Sequence, residues 1–122
     1  MFSDRKPNLI ERANEMGIAY HADGPTPTFL SYPWFDSGLL TLSRYPIAKS
    51  KYFEFQYPLV YADIAARKGV LYTKIDLSSV GGSFLHLFNM HTQATYDELG
   101  NRMYVETFVS RYMQIKEARQ FI

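Results

Sequence analysis

The residues of this chain best suited to chemistry close a single apolar run near its middle. Asn89 and His91 end a stretch of strand-forming residues that begins at Phe84. Rigid backbone would hold a histidine in that position at the rim of a sheet, where a ligand can reach it. Its ring N–H can donate to a phosphate oxygen as negative charge builds there. The alternative interpretation is a histidine that is only hydrogen-bonded into the fold.

The spacing of the polar residues in this run predicts which of them share a face. Asn89 lies two residues before His91, so a pleated strand puts both side chains on one side. Asn89 would then orient the histidine or contact the ligand, or else serve only the backbone. His86 lies five residues before His91 and therefore points to the opposite face, where we expect a packed histidine without a chemical role.

A second pair of candidates precedes the neighbouring apolar run. Asp63 and Lys68 are five residues apart, and Lys68 is followed by Gly69. A lysine in a loop can approach a phosphate as a point charge, with the adjacent glycine allowing the backbone to pass close to the ligand. The aspartate could pair with the lysine and hold or release it.

Composition limits the classes of protein to which the chain can belong. It has 122 residues, 47% of them hydrophobic, and 13 basic against 12 acidic residues give a net charge of +1. This is enough apolar material for one packed domain, and the charge balance does not favour nucleic-acid binding. The absence of cysteine excludes disulfides and thiolate metal sites. No signal peptide or membrane-spanning run is recognisable.

Periodicity and turn residues predict two helices and about four strands, in the order α–β–β–β–β–α. The predicted elements are a helix over 3–16, strands over 38–43, 48–55, 68–77 and 84–91, and a helix from about 102 to the end. Loops are expected over 19–35 and 57–67, with a turn over 97–101. An apolar series on the last helix is expected to dock on the sheet, and its members are Val105, Phe108, Tyr112, Ile115 and Ile122.

Several segments together resemble a known family. The segments are DSGLLTLSRYPI at 36–47, KGVLYTKIDL at 68–77 and LHLFNMHTQATY at 85–96. In this order they resemble the middle of a neutral sphingomyelinase, a metal-dependent phosphodiesterase of the endonuclease/exonuclease/phosphatase superfamily. The resemblance covers nearly the whole chain. It implies an α/β (α+β) fold, a partial four-layer sandwich in which residues 1–122 form a single incomplete domain.

The resemblance also implies roles for the candidate residues. His91 would contact the scissile phosphate, with Asn89 beside it, while Asp63 and Lys68 would form a pair that switches the site. Arg44, Arg111 and Gln114 match other family positions, for which we expect structural roles. The intact family enzyme uses Mg²⁺ to split sphingomyelin into ceramide and phosphocholine, so a sphingomyelin headgroup is the implied partner.

The family's metal ligands have no counterpart in this sequence. The metal-binding asparagine and glutamate would precede Met1, and the Gly-Asp-x-Asn and Asp-His segments would follow Ile122. We therefore expect the chain alone to hold no Mg²⁺ and to be inactive. The alternatives are a non-catalytic remnant that acts as a binding or structural subunit, and a nuclease or inositol-phosphate phosphatase branch. Uncovered sheet faces predict a marginally stable chain that self-associates or binds a protein partner.

Overall fold

The computed structural model describes residues 5–26, 34–57, 59–96 and 101–122. Within these ranges the chain is α+β, as the sequence predicts. The helices and strands are α1 Arg5–Glu15, β1 Tyr20–Asp23, β2 Leu40–Ser43, β3 Ile47–Glu54, β4 Gly69–Asp76, β5 Phe84–His91 and α2 Asn101–Phe121. Short 3₁₀ helices span Tyr61–Ala65 and Ser78–Val80. The two predicted helices are present, and the predicted turn over 97–101 lies largely outside the described residues.

The strands form two antiparallel sheets. β3, β4 and β5 follow one another in a three-stranded meander, and β1 pairs with β2. β1 corrects the prediction of a loop over 19–35, because Tyr20–Asp23 pairs in register with Leu40–Ser43. Its sequence, Tyr-His-Ala-Asp, is only four residues long and has one buried side chain, Ala22, so its pattern is too short to distinguish a strand from a loop. Hydrogen bonding to β2 therefore decides its conformation.

The two sheets face each other through β2 and β4. The hydroxyl of Thr73 donates to that of Thr41 over 3.3 Å, and both residues are buried. Leu71 and Ile75 lie on the same face of β4 as Thr73 and are also buried. Because side chains alternate along a strand, Val70 lies on the other face of β4. The three-stranded sheet thus has an inner face toward β2 and an outer face.

Helix α2 packs on the outer face of the three-stranded sheet. The core there consists of Phe55, Val70 and Ala118, with Phe53 and Phe121 packed against it. The rings of Phe53 and Phe121 stack with their centroids 5.2 Å apart. Aromatic contacts at the end of the helix therefore hold its last turn on β3. No helix within the described ranges is long and apolar enough to cross a membrane.

The prediction of which face of α2 docks was wrong. The apolar series from Val105 to Ile122 is exposed, with Phe108 at 54% and Tyr112 at 55% exposure. The buried face instead carries Thr107, Ser110, Gln114 and Ala118. These small and polar side chains allow close approach, and Gln114 accepts a hydrogen bond from the loop after β5. The need to satisfy buried backbone groups overrides the apolar periodicity at this helix.

Candidate functional site

Lys68 is the centre of the candidate site. It lies between the 3₁₀ helix Tyr61–Ala65 and the start of β4, and it is only 3% exposed. Its ammonium nitrogen is 2.8 Å from Nε2 of His91 and 3.2 Å from Oδ1 of Asp63. The structure therefore brings together three of the four residues that the sequence singled out. A buried ammonium needs such partners, because a charge taken out of water is costly unless it is paired.

Asp63 is buried, and its carboxylate accepts two hydrogen bonds in addition to its ion pair with Lys68. Its Oδ2 accepts the backbone N–H of Ala94 over 2.6 Å, and its Oδ1 accepts the hydroxyl of Tyr96 over 3.4 Å. Burial and the adjacent negative charge of Asp63 raise the pKa of Tyr96, so its hydroxyl stays protonated and donates. These bonds tie the loop after β5 to the loop before β4.

The hydrogen bonds of His91 determine its protonation pattern. Its Nδ1 is 2.6 Å from the carbonyl oxygen of Ser37, which can only accept, so Nδ1 carries a proton. Nε2 faces the ammonium of Lys68, which can only donate, so Nε2 accepts. His91 is therefore neutral in this arrangement. Its Nε2 is engaged with the lysine and does not offer an N–H to the cavity.

Ser37 is a site residue that sequence reasoning missed. It contributes through its backbone carbonyl, which leaves no signature in the residue type. The next residue, Gly38, has a φ of +67°, and Asp36 Oδ1 accepts its N–H over 3.0 Å. A Cβ on Gly38 would also lie 4.0 Å from Nδ1 of His91. The turn before β2 is thus shaped to present one carbonyl to the histidine.

Asn89 and His86 lie on the faces that their spacing predicts but outside this group. Asn89 is on the inner face, where its amide donates to the carbonyl of Leu40 over 3.2 Å, joining β5 to β2. It therefore serves the backbone, and within the described residues no hydrogen bond joins it to His91. His86 is on the outer face, where its ring stacks on Tyr72 and its Nδ1 is 2.8 Å from that tyrosine's hydroxyl.

Strand packing explains why a glycine follows Lys68, a reason that the sequence did not suggest. Gly69 is buried as the first residue of β4, and a Cβ built on it would lie 2.1 Å from the carbonyl oxygen of Phe53. The missing side chain makes room for β3 and its Tyr52 ring. The glycine is thus required for strand packing, and its role in bringing backbone close to a ligand stays a prediction.

A cavity of about 600 Å³ opens beside the charged group, within the usual size range of ligand pockets. Its walls come from α1, from the segment before β2, from the loop before β4 and from the end of β5. They carry the charged residues Arg5, Lys6, Asp36, Asp63 and Lys68, together with His91 and mostly apolar neighbours. Among the described residues of the lining, three cations against two carboxylates leave a net positive charge, which suits an anionic ligand.

The contribution of α1 to this cavity was not expected from the sequence. Lys6 lies 2.9 Å from Asp36 and 3.6 Å from Asp23, and it is largely buried. This pairing joins α1 to β1 and to the turn before β2. Its members are some 13 to 30 residues apart in the chain, so no local motif indicates that they meet.

Two residues expected to have structural roles hold the loop after β5. Gln114 is fully buried on α2, and its carbonyl oxygen accepts the N–H of Gln93 over 2.8 Å. Arg111 donates to the hydroxyl of Thr95 over 2.6 Å. This loop presents Ala94 to Asp63, so α2 positions the site indirectly. Arg44 is exposed at the turn between β2 and β3 and does not take part.

The described side chains do not fit a magnesium site. Hard cations need several oxygen ligands close together, and no group of three histidine, aspartate or glutamate side chains converges within the described ranges. The two carboxylates that line the cavity, Asp36 and Asp63, already face the ammonium groups of Lys6 and Lys68. A cation at either carboxylate would have to compete with a lysine at about 3 Å.

Comparison with known proteins identifies the type of chain. It is 41% identical over 101 residues to a sphingomyelinase of Dictyostelium discoideum, a match that covers 78% of this chain and 22% of that protein. The chain is sphingomyelinase-like. Its fold also matches the crystal structure of SmcL with a TM-score of 0.74, at 23% identity, over 98% of this chain and 40% of SmcL. No protein-family model matches.

The extent of these matches defines what the sphingomyelinase-like chain contains. It spans about a fifth of the length of the Dictyostelium relative and two fifths of SmcL. The match in fold includes both sheets and both helices, because it covers 98% of the chain. The arrangement of Asp63, Lys68 and His91 therefore lies within a fold that SmcL shares.

Proposed function

We propose that this chain forms the phosphate-contacting part of a phosphodiesterase that hydrolyses sphingomyelin to ceramide and phosphocholine. The observation that carries the proposal is the group of Asp63, Lys68 and His91 on the wall of a cavity with a net positive lining. The likeness to a sphingomyelinase supports the substrate class. The scaffold is proposed to be one incomplete domain of the endonuclease/exonuclease/phosphatase superfamily.

Lys68 is the group that first meets the phosphate. An ammonium has three N–H donors, and two of them face Asp63 and His91 in the structure. Within the part of the chain that the structure describes, the third N–H has no side-chain partner, so it can donate to a phosphate oxygen in the cavity that Lys68 lines. The carboxylate of Asp63 holds the lysine in place, because removing it would leave the ammonium buried without an ionic partner.

His91 acts on the phosphate only after Lys68 has moved. Nε2 of His91 now accepts a hydrogen bond from Lys68 through its lone pair. The same nitrogen cannot carry a proton while it accepts this bond, so it cannot donate to a phosphate at the same time. When the imidazole is protonated, Nδ1–H keeps its bond to the Ser37 carbonyl and Nε2–H points to where the lysine nitrogen was. The ring would then donate to a non-bridging phosphate oxygen and stabilise the charge of the transition state.

The proposed intact enzyme depends on Mg²⁺, which in such enzymes polarises the phosphoryl group and activates the attacking water. The described residues of this chain are not its ligands, and their part in the reaction is to bind and orient the phosphate. We therefore propose that the chain alone does not release phosphocholine from sphingomyelin, with or without added Mg²⁺. Turnover by the purified chain would contradict the proposal that the chain binds and orients the phosphate without holding the metal.

Titration with phosphocholine, followed by NMR at the His91 imidazole, tests the site itself. We expect the His91 ring signals to shift in a saturable way as phosphate engages Lys68. Lys68→Met removes the donor and is expected to weaken binding at least tenfold, because a charge-assisted bond contributes about 1.5–3 kcal/mol. Lys116→Met, an exposed lysine on α2, is the matched control and should leave the titration unchanged.

The same titration separates the branches of the superfamily. Phosphocholine that binds more tightly than inositol phosphate or a dinucleotide supports headgroup chemistry. Preference for either competitor would indicate a phosphatase or nuclease branch. If none of the three ligands shifts the His91 signals in a chain that circular dichroism shows to be folded, the phosphate site is wrong.

A separate apolar surface supports the prediction that the chain binds a protein partner or a second copy of itself. Leu85 and Leu87 lie on the inner face of β5, where the two-stranded sheet does not cover them, and they are 47% and 38% exposed. We propose that this flank binds a partner or a second copy. Sedimentation should show association that Leu87→Ser reduces, and a monomer at all concentrations would contradict the proposal.

A further inference from the structure

The outer surface of α2 is apolar along most of its described length. Residues three and four apart form this surface, which we call the α2 stripe. Its members are Tyr104, Val105, Phe108, Val109, Tyr112 and Ile115, together with Ile122 directly after the last residue of the helix. Each is between 41% and 67% exposed. Contiguous exposed apolar side chains of this kind mark an interaction surface, whereas scattered ones need no explanation. The stripe also explains why the pattern of the helix misleads: its apolar face is turned away from the sheet.

The charges that border the α2 stripe are basic. Lys116 and Arg119 are exposed, and the Lys116 ammonium lies 5.6 Å from the centre of the Tyr112 ring. The acidic side chains of the helix are turned toward the fold. Glu106 accepts the hydroxyl of Tyr61, and Glu117 accepts the backbone N–H groups of Gln56 and Tyr57, each over 2.8 Å. The exposed side of the helix is therefore apolar with a cationic border.

A row of two lysines and one histidine, which we call the cation row, lies beside α2 on the outer face of the sheet. Lys49, Lys74 and His86 are directly opposite one another on β3, β4 and β5. Among the described residues, no carboxylate lies within 4.0 Å of the ammonium groups of Lys49, Lys51 or Lys74. Like charges on opposite strand positions destabilise a sheet. An anion that binds to them would remove this repulsion.

The α2 stripe and the cation row meet at the end of the helix. A pocket of about 230 Å³ is lined by Lys49, Lys51 and His86, by the aromatic rings of Tyr72, Phe88 and Phe121, and by Ile122. Ile122 thus belongs to both surfaces. The pocket has the size and charge to take a phosphate group, while the stripe next to it offers apolar side chains.

We propose that the α2 stripe and the adjacent basic pocket form a docking surface for an anionic phospholipid bilayer. A helix with an apolar face and a basic border lies in the bilayer interface, where its apolar side chains enter the headgroup region and its cations meet lipid phosphates. Tyr104 and Tyr112 fit such a position because each has an apolar ring and a polar end. The pocket near Ile122 would hold one lipid phosphate.

A bilayer fits this surface better than a second copy of the chain. The series Val105, Phe108, Tyr112 and Ile115 has the spacing of a coiled-coil seam. In a parallel pair of such helices Lys116 and Arg119 of the two chains would meet, and in an antiparallel pair they would face apolar side chains. Neither arrangement gives them an acidic partner on α2, since Glu106 and Glu117 are engaged inward. The positive border therefore opposes self-pairing, and it complements an anionic lipid surface.

Vesicle sedimentation with the purified chain tests the proposal, using phosphatidylcholine vesicles with and without phosphatidylserine. Leaving out sphingomyelin makes the result independent of the proposed catalytic function. We expect binding to the anionic vesicles, weakened by salt, and much less to the neutral ones. Phe108→Ser should weaken binding at least tenfold, because it removes half-exposed aromatic area. Lys49→Gln and Lys74→Gln should each weaken it about fivefold.

Two matched variants control for general loss of surface apolarity or charge. Val80→Ser changes an apolar residue that is 61% exposed on the 3₁₀ helix before β5, and Arg12→Gln removes an exposed charge from α1. Both should bind like the parent chain. Circular dichroism confirms that each variant is folded, and all five changed side chains are at least partly exposed, so folding should survive.

Three results would overturn the proposal. Equal binding to both kinds of vesicle would exclude recognition of anionic lipid, and unchanged binding of Phe108→Ser would exclude the α2 stripe. A dimer in sedimentation velocity that Phe108→Ser dissociates would show that a second copy covers the stripe. A longer polypeptide can be tested in the same way. If it binds vesicles and Phe108→Ser does not weaken that binding, other parts of the polypeptide cover the α2 stripe.

Discussion

The pair of Asp63 and Lys68 offers a quantitative test of the site. Lys68 is 3% exposed, and its ammonium lies 3.2 Å from the Asp63 carboxylate. Removing one member of a buried ion pair typically costs 3–5 kcal/mol, because the other charge is left without compensation. We expect Asp63→Asn and Lys68→Met each to cost about 3 kcal/mol, the lower end of that range. Each remaining charge retains some hydrogen bonds.

The double variant separates a true ion pair from two unrelated losses. If the residues acted independently, the two changes together would cost about 6 kcal/mol. In the double variant no charge is left unpaired, so we expect a cost of only about 3 kcal/mol, mostly from lost hydrogen bonds to Ala94 and His91. The coupling free energy is then about 3 kcal/mol, which is at the upper end for residues in contact.

Urea denaturation of the four proteins, followed by circular dichroism, measures this coupling. Trimethylamine N-oxide at one fixed concentration keeps the weaker variants folded without changing the comparison. A matched cycle of Arg67→Met and Glu54→Gln tests a partly exposed pair on the same segment, for which we expect at most about 1 kcal/mol of coupling. If the Asp63 and Lys68 changes prove additive, the ammonium and the carboxylate do not depend on each other and the proposed switching pair is refuted.

Further predictions concern other parts of the structure. Burial raises the pKa of Tyr52 above its ordinary value, and its hydroxyl has no hydrogen-bond partner among the described residues; Tyr52→Phe should therefore stabilise the chain by about 1 kcal/mol at neutral pH. Because the unfolded tyrosine loses its proton near pH 10 and the folded one only at higher pH, stability should fall as the pH rises above 10, and less steeply in Tyr52→Phe. Gly69→Ala should cost about 3 kcal/mol in urea denaturation, since its Cβ would meet the Phe53 carbonyl, whereas Gly17→Ala, with open space but a φ of +77°, should cost about 1 kcal/mol. Mg²⁺ or EDTA should leave the melting temperature unchanged. In a longer, active polypeptide, His91→Ala should lower turnover by roughly 10²–10³-fold, while His86→Ala should reduce stability and spare turnover.

The candidate site illustrates which features of a site a sequence can indicate. The grouping of Asp63, Lys68 and His91 follows from residue types and from resemblance, and the structure brings the three together. The Ser37 carbonyl and the Ala94 N–H were not predictable, because any residue type offers the same backbone groups. The part of α1 in the cavity was missed as well, since Lys6 meets Asp36 only through the fold.

The order of residue types along the chain is enough to predict the α+β class, both helices, four of the strands and the faces of Asn89, His91 and His86. These features depend on the periodicity of apolar residues that are close together in the chain. Contacts between residues far apart in the chain explain three other features. Tyr20–Asp23 is a strand, Gly69 serves strand packing and α2 docks through its polar face. Each of these depends on a partner distant in the chain: β2 pairs with β1, the Phe53 carbonyl fills the space at Gly69, and Gln93 requires the amide of Gln114. A buried backbone group must find a hydrogen-bond partner wherever the fold offers one, and that requirement outweighed the apolar pattern of the helix.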